Sequence, residues 1–152
     1  MMEKRLNYVI YAIIWGIIVG LLTVVGQKFL PGSFNSFANS GSVWLIPAFY
    51  VSRRYYQRKQ AIFFSVIYLL VCVETYYTFY KLSWKTGFMF DFHEITWILC
   101  AIIFGYIFGL GGYLAKNGSD RMRVICMTML PATFLAEGLS YLVHFKEYSH
   151  MA

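Results

Sequence analysis

Charge is the scarcest property of this chain. Only seven of its 152 residues are Asp or Glu, and charged residues of both signs make up 13%. A soluble domain draws about a quarter of its residues from Asp, Glu, Lys and Arg, so a water-facing globular fold is excluded. No internal repeat or low-complexity tract is visible, which excludes a solenoid or a long linker. Cysteine is limited to Cys72, Cys100 and Cys126, all inside apolar runs. They have no metal-type spacing and no loop in which to pair, so they read as small buried hydrophobes. Catalytic signatures are missing as well: there is no His-Glu-x-x-His, no Gly-x-Ser-x-Gly and no phosphate-binding glycine loop. No motif implies a cofactor. An intramembrane enzyme would have to assemble its site from scattered residues and is the least supported class.

What the chain does have is apolar bulk. It is 59% hydrophobic and 20% aromatic, with a mean hydropathy of +0.57. These values identify an all-α integral membrane protein, a single transmembrane helical domain over residues 1–152. The length accommodates about five spans of roughly 20 residues each. Apolar runs place them at about 8–27, 40–55, 61–80, 94–115 and 123–145. The second is short and contains Pro47, so a re-entrant segment is the alternative there. The first run is too long for a cleavable signal core and lacks a small-x-small site, so it is expected to remain as a helix.

The net charge of +6 does not point to nucleic acid, because the basic residues fall in short segments between apolar runs. Lys4, Arg5, Arg53, Arg54, Arg58, Lys59, Lys116, Arg121 and Arg123 lie on one side of the expected bundle. Lys28, Lys81, Lys85 and Lys146 lie on the other. Nine against four puts the N-terminus in the cytoplasm and the C-terminus outside, in a multi-pass protein of the plasma membrane.

Two carboxylates stand out against this background. Glu74 and Glu137 lie within apolar helices, where a charge costs a few kcal/mol or more and usually faces a protein interior or a wet cavity. Both are expected at matched depth, roughly 20 Å from the inner helix ends at 1.5 Å per residue. Glu137, Tyr141 and His144 recur at helical spacing, as do Glu74, Tyr77, Thr78 and Lys81. His93, Glu94 and Trp97 open the fourth helix, and Asn39 ends the first outer loop. Together they predict a polar, aromatic pocket in the outer half of the bundle. Glu137, Glu74, Tyr141, Tyr77, Trp97, Asn39, Glu94 and His144 are its candidate ligand-binding residues.

Carboxylates beside aromatic faces suit a cationic or aromatic small molecule. They also suit proton coupling, because desolvation disfavours the charged form of a carboxylic acid. The plainer alternatives are structural: Glu74 as hydrogen-bonded glue, Lys81 as its neutralising neighbour, the aromatics as an interfacial belt. A metal site from His93, Glu94, Glu137 and His144 has no recognised spacing, so none is expected. Gly16 with Gly20, and Gly105 with Gly109, form small-residue faces that suit close helix contact, with a partner or a second copy of the chain. Pro131 should kink the last helix around Met127.

Three groups of residues carry a family resemblance. They are Leu30-Pro31-Gly32 with Ala38-Asn39-Ser40-Gly41-Ser42-Val43-Trp44, then Gly105, Phe108-Gly109 and Gly112-Tyr113-Leu114, then Phe134-Leu135-Ala136-Glu137-Gly138-Leu139. Through them the chain resembles an uncharacterised, domain-of-unknown-function family of small bacterial multi-pass membrane proteins. The match places Asn39, Trp44, Glu137 and Gly138 on family-pattern positions, and it does not reach Glu74. In architecture alone the chain is also similar to the S-components of energy-coupling-factor transporters, with Gly16, Gly20 and the 31–41 loop as the matching pieces. That likeness implies an outward-facing ligand pocket and a membrane partner on helix 1, although that fold has six helices. The expected function is therefore binding of a small molecule for transport, with a partner or assembly subunit as the alternative.

Overall fold

The computed structural model describes residues 2–31, 35, 38–85, 87 and 92–143, with side chains from Asn7 onward. Among these residues the chain is all-helical. The elements are α1 (Met2–Phe29), α2 (Gly41–Ser52), α3 (Arg58–Trp84), α4 (Phe92–Asn117), α5 (Asp120–Met127) and α6 (Met129–Val143). α5 and α6 form one apolar stretch of 24 residues interrupted at Thr128. The interruption falls one turn before Pro131, which has no N–H to offer the Met127 carbonyl, at the place where a kink is expected. Among the described residues, four helices are long and apolar enough to cross a membrane: residues 7–29 of α1, α3, α4 and the combined α5–α6. α2 has 12 residues, about 18 Å of helix against a hydrocarbon core of about 30 Å.

Glycine decides how these helices pack. A Cβ on Gly16 would lie 2.8 Å from the Tyr68 carbonyl oxygen, and one on Gly20 would lie 2.7 Å from that of Cys72. On the other side of α3, a Cβ on Gly105 or Gly109 would lie 2.8 Å from the Cα of Val66 or Ile62. α3 is thus gripped between α1 and α4, each notched at i and i+4 so that the backbones can approach. The faces that the sequence offered for a partner or second copy are taken by α3 of the same chain.

The same contacts give the helix directions. Gly16 meets Tyr68 and Gly20 meets Cys72, so α1 and α3 run parallel. Gly105 meets Val66, Gly109 meets Ile62, and Lys81 pairs with Glu94, so α3 and α4 run antiparallel. α2 returns the chain from the end of α1 to the start of α3, tied to α1 at both of its ends. At one end Trp44 Nε1 donates to Thr23 Oγ1 (3.0 Å), and at the other the Tyr55 hydroxyl donates to the Tyr8 carbonyl (3.5 Å). Burial pushes the Tyr55 hydroxyl above the ordinary tyrosine range, which keeps it a donor. Tyr55 also stacks on Phe64 with ring centroids 4.7 Å apart.

α6 is the exception to this packing. None of its side chains is buried, and Leu135, Leu139, Leu142 and Val143 are all exposed.

Candidate functional site

α2 begins with Ser40-Gly41-Ser42 and has no acidic residue in its first turn. Its N-cap, Ser40, does not cap its own helix: its hydroxyl turns instead to Glu137 on α6. The Glu137 carboxylate accepts from Ser40 Oγ (2.7 Å), Gly41 N (2.8 Å), Ser42 Oγ (2.5 Å) and Ser42 N (3.4 Å). The first amides of a helix have no partner within it, and its N-terminus carries a partial positive charge. A carboxylate from a helix 96 residues away along the chain answers both needs. Glu137 is therefore a capping group supplied by another helix of the chain, and it is a polar tie between α6 and the rest of the bundle.

A buried ion pair sits at the α3–α4 end of the molecule. Lys81 and Glu94 form a salt bridge with side chains 9% and 4% exposed, and the Lys81 ammonium also lies 5.9 Å from the Tyr77 ring centroid. An aromatic cluster adjoins it. Tyr76 touches Trp44, Tyr77 and Tyr80, and Trp44 lies 5.7 Å from Trp97. The Tyr76 hydroxyl donates to Gln27 Oε1 at 2.9 Å.

Next to the Glu137 cap lies a cavity of about 180 Å³. Gly41, Trp44 and Leu45 of α2, Leu69 and Val73 of α3, and Trp97, Cys100, Ala101 and Phe104 of α4 line it. Its walls are apolar. Gly41 belongs to the wall and to the Glu137 cap at once, so the tether of α6 and the rim of the cavity share a residue.

A model described as a family of unknown function, DUF6518, matches residues 2–152. The chain belongs to DUF6518. No curated protein and no solved structure matches it. In this DUF6518 chain, residues 38–44 and 134–139, two of the stretches that carried the resemblance, meet through the Glu137 cap.

The structure separates the residues that sequence grouped. Trp97 lines the cavity, and Glu137 adjoins it through Gly41. Glu94 and Tyr77 are buried beside Lys81, so Lys81 pairs with Glu94 in place of the alternative in which it neutralises Glu74. Asn39 is exposed next to the cap, Tyr141 is half-buried on α6, and His144 lies outside the described residues. Among the described residues, no three His, Cys, Asp or Glu side chains lie close enough to hold a metal. Sequence reading missed Ser42 as a member of the site and gave Trp44 only as a family-pattern position. The available signal was a helix start with two hydroxyls and no acid of its own.

Glu74 goes elsewhere. It is exposed on α3, about 15 Å of helix before Trp84, and among the described residues it has no hydrogen bond or ion pair. An apolar carbodiimide such as dicyclohexylcarbodiimide, which reaches carboxyls from the lipid phase, is expected to modify Glu74 well ahead of Glu94 or Glu137. Peptide mass spectrometry of the reacted protein in liposomes checks this. Equal modification of all three would place Glu74 in a shielded environment.

Proposed function

We propose that this DUF6518 protein is a multi-pass plasma-membrane protein that binds a small apolar or aromatic molecule in the α2–α3–α4 cavity, for transport. The observation that carries this is the cavity itself, whose apolar walls include two tryptophans. Its volume is on the scale of an engineered cavity of about 150 Å³ that holds benzene. Glu137 and Glu94 already have hydrogen-bond or ionic partners. That favours a neutral ligand over the cation suggested by sequence. Glu137 then acts as a latch: it holds the first turn of α2, and with it the Gly41 wall, against α6.

Five crossings with the N-terminus inside accompany this reading. Two parallel helices, each long enough to span, need a segment that brings the chain back, and α2 is that segment. The basic residues Arg53, Arg54 and Lys116 gather at one end of the bundle, as the charge asymmetry requires of a cytoplasmic face.

The test is extraction of the purified protein for co-purifying small molecules, with Ala101→Phe as the variant that fills the cavity. Wild type is expected to carry a small apolar compound, and to have its Cys100 thiol protected from alkylation while occupied. The filled variant should carry at least about tenfold less, consistent with exclusion of a ligand from a close-packed site. Undiminished retention by the variant would overturn the assignment.

A subunit of a larger membrane complex is the second reading, and exposed Glu74 favours it, because an intramembrane carboxylate calls for a partner. In that case Glu74→Leu should dissociate a complex extracted in mild detergent, while Ala101→Phe leaves it intact.

A further inference from the structure

A second cavity lies at the opposite end of the molecule from the Glu137 cap. It is open to the surface, about 470 Å³ in volume, and lined by Tyr8, Tyr50, Arg53, Arg54, Tyr56 and Lys116. Three cations from α4 and the α2–α3 connection therefore converge on one groove. Their positions are set by tyrosine rings. The Arg54 guanidinium lies 4.0 Å from the Tyr11 centroid, Lys116 Nζ lies 3.8 Å from that of Tyr56, and Arg53 sits 5.8 Å from Tyr50. Lys116 Nζ also donates to the Arg54 carbonyl at 3.4 Å. Among the described residues no carboxylate pairs with any of the three, since the ion pairs there are Lys81–Glu94 and Arg123–Asp120.

A general preference for basic residues on the cytoplasmic side explains three positive charges near this surface. It does not explain what lies next to them. An apolar groove of about 220 Å³ is lined by Tyr11, Trp15, Ile46, Pro47, Tyr50 and Val51, and it shares Tyr50 with the basic cavity. Tyr11 to Trp15 and Tyr50 to Ile46 are steps of four residues, so the groove extends about 6 Å or more along the helices, away from the charges. It exists because α1 and α2 are tied at their ends, through Thr23–Trp44 and Tyr8–Tyr55, and stand apart between.

A cationic pocket at a membrane-facing helix end, continuous with an apolar groove running into the membrane-spanning part, complements one kind of molecule. We infer that this face binds one anionic glycerophospholipid. Its phosphodiester lies against Arg53, Arg54 and Lys116, and one acyl chain lies along Tyr11, Trp15, Ile46 and Pro47. A phosphate oxygen accepts well from guanidinium and ammonium donors. A zwitterionic headgroup would bring an ammonium towards three like charges. A free phosphate would leave the apolar groove empty.

Native mass spectrometry of the protein in a neutral detergent tests this, with phosphatidylglycerol and phosphatidylcholine of identical acyl chains in equal amounts. Wild type is expected to retain phosphatidylglycerol at least about tenfold over phosphatidylcholine, with one tightly held copy. Millimolar inorganic phosphate should not displace it. Arg53→Gln/Arg54→Gln/Lys116→Gln should lower retention to the phosphatidylcholine level. Ile46→Trp, which obstructs the groove and leaves the charges in place, should weaken retention of both lipids. Equal retention of the two lipids by wild type, displacement by inorganic phosphate, or unchanged preference in the folded triple variant would each overturn the inference. The wild-type competition decides the matter even if the triple variant does not fold.

Discussion

Replacing Lys81 with methionine is expected to be the most damaging single change in this molecule. Lys81 and Glu94 are both buried, so the substitution leaves a carboxylate in low dielectric without its cation. Breaking a buried pair from one side costs about 3–5 kcal/mol, because it leaves a charge in low dielectric without its counter-ion. For a chain of this size that corresponds to a fall of roughly 10 °C in the unfolding midpoint. The ion pair itself need not be stabilising to that extent. Lys81→Met combined with Glu94→Leu should recover most of the loss, since an apolar pair of similar volume is often as stable as the ions it replaces. Thermal unfolding of the three variants in detergent checks this. A Lys81→Met protein that melts with wild type would show that the Glu94 carboxylate finds adequate hydration without Lys81.

Glu137→Gln should have the second largest effect, with a different character. Four donors converge on the carboxylate: two hydroxyls and two backbone amides. Glutamine offers them one acceptor oxygen and turns an NH2 group towards the rest. The first turn of α2 loses its cap and the charge that complements its dipole, at a cost of about 2–4 kcal/mol. Because α6 buries no side chain of its own, that loss is expected to release the helix as well as to lower stability. Hydrogen exchange reads both effects. The amides of Gly41 and Ser42 should exchange at least about tenfold faster in Glu137→Gln, while those in the middle of α3 should be unchanged. Ser42→Ala should produce a smaller acceleration at the same amides. Unchanged protection of Gly41 and Ser42 in Glu137→Gln would mean that some other acceptor caps α2.

The helices themselves were legible in the sequence, because in a membrane protein the length of an apolar run is itself the signal. Expected spans at about 61–80 and 94–115 correspond to Arg58–Trp84 and Phe92–Asn117. The helices continue past the apolar runs because Arg58, Lys59, Gln60 and Lys116 at their ends are good helix formers too. Which side of each helix faces inward was not legible. When lipid lies outside and aliphatic side chains lie inside, both sides are apolar and the amphipathic pattern that orients a soluble helix is lost. Glu74 and Glu137 therefore shared an expected depth and yet point to unrelated surroundings. The glycines were the dependable guides to close contact, and their partner proved to be α3 of the same chain. The partners of Glu137 were hidden for another reason. Half of them are backbone amides, which every residue carries and no sequence pattern advertises.

Distance along the chain gives the Glu137 cap a temporal meaning. The amide of Gly41 and the carboxylate it donates to are 96 residues apart. At synthesis rates of about 5–20 residues per second, Glu137 is polymerised roughly 5–20 s after α2 has left the ribosome's active centre. During that interval the opening turn of α2 has its donors directed at water, lipid headgroups or the insertion machinery. The opening turn of α2 thus waits for α6, and the nascent protein keeps one end of its cavity wall unlatched until Glu137 arrives.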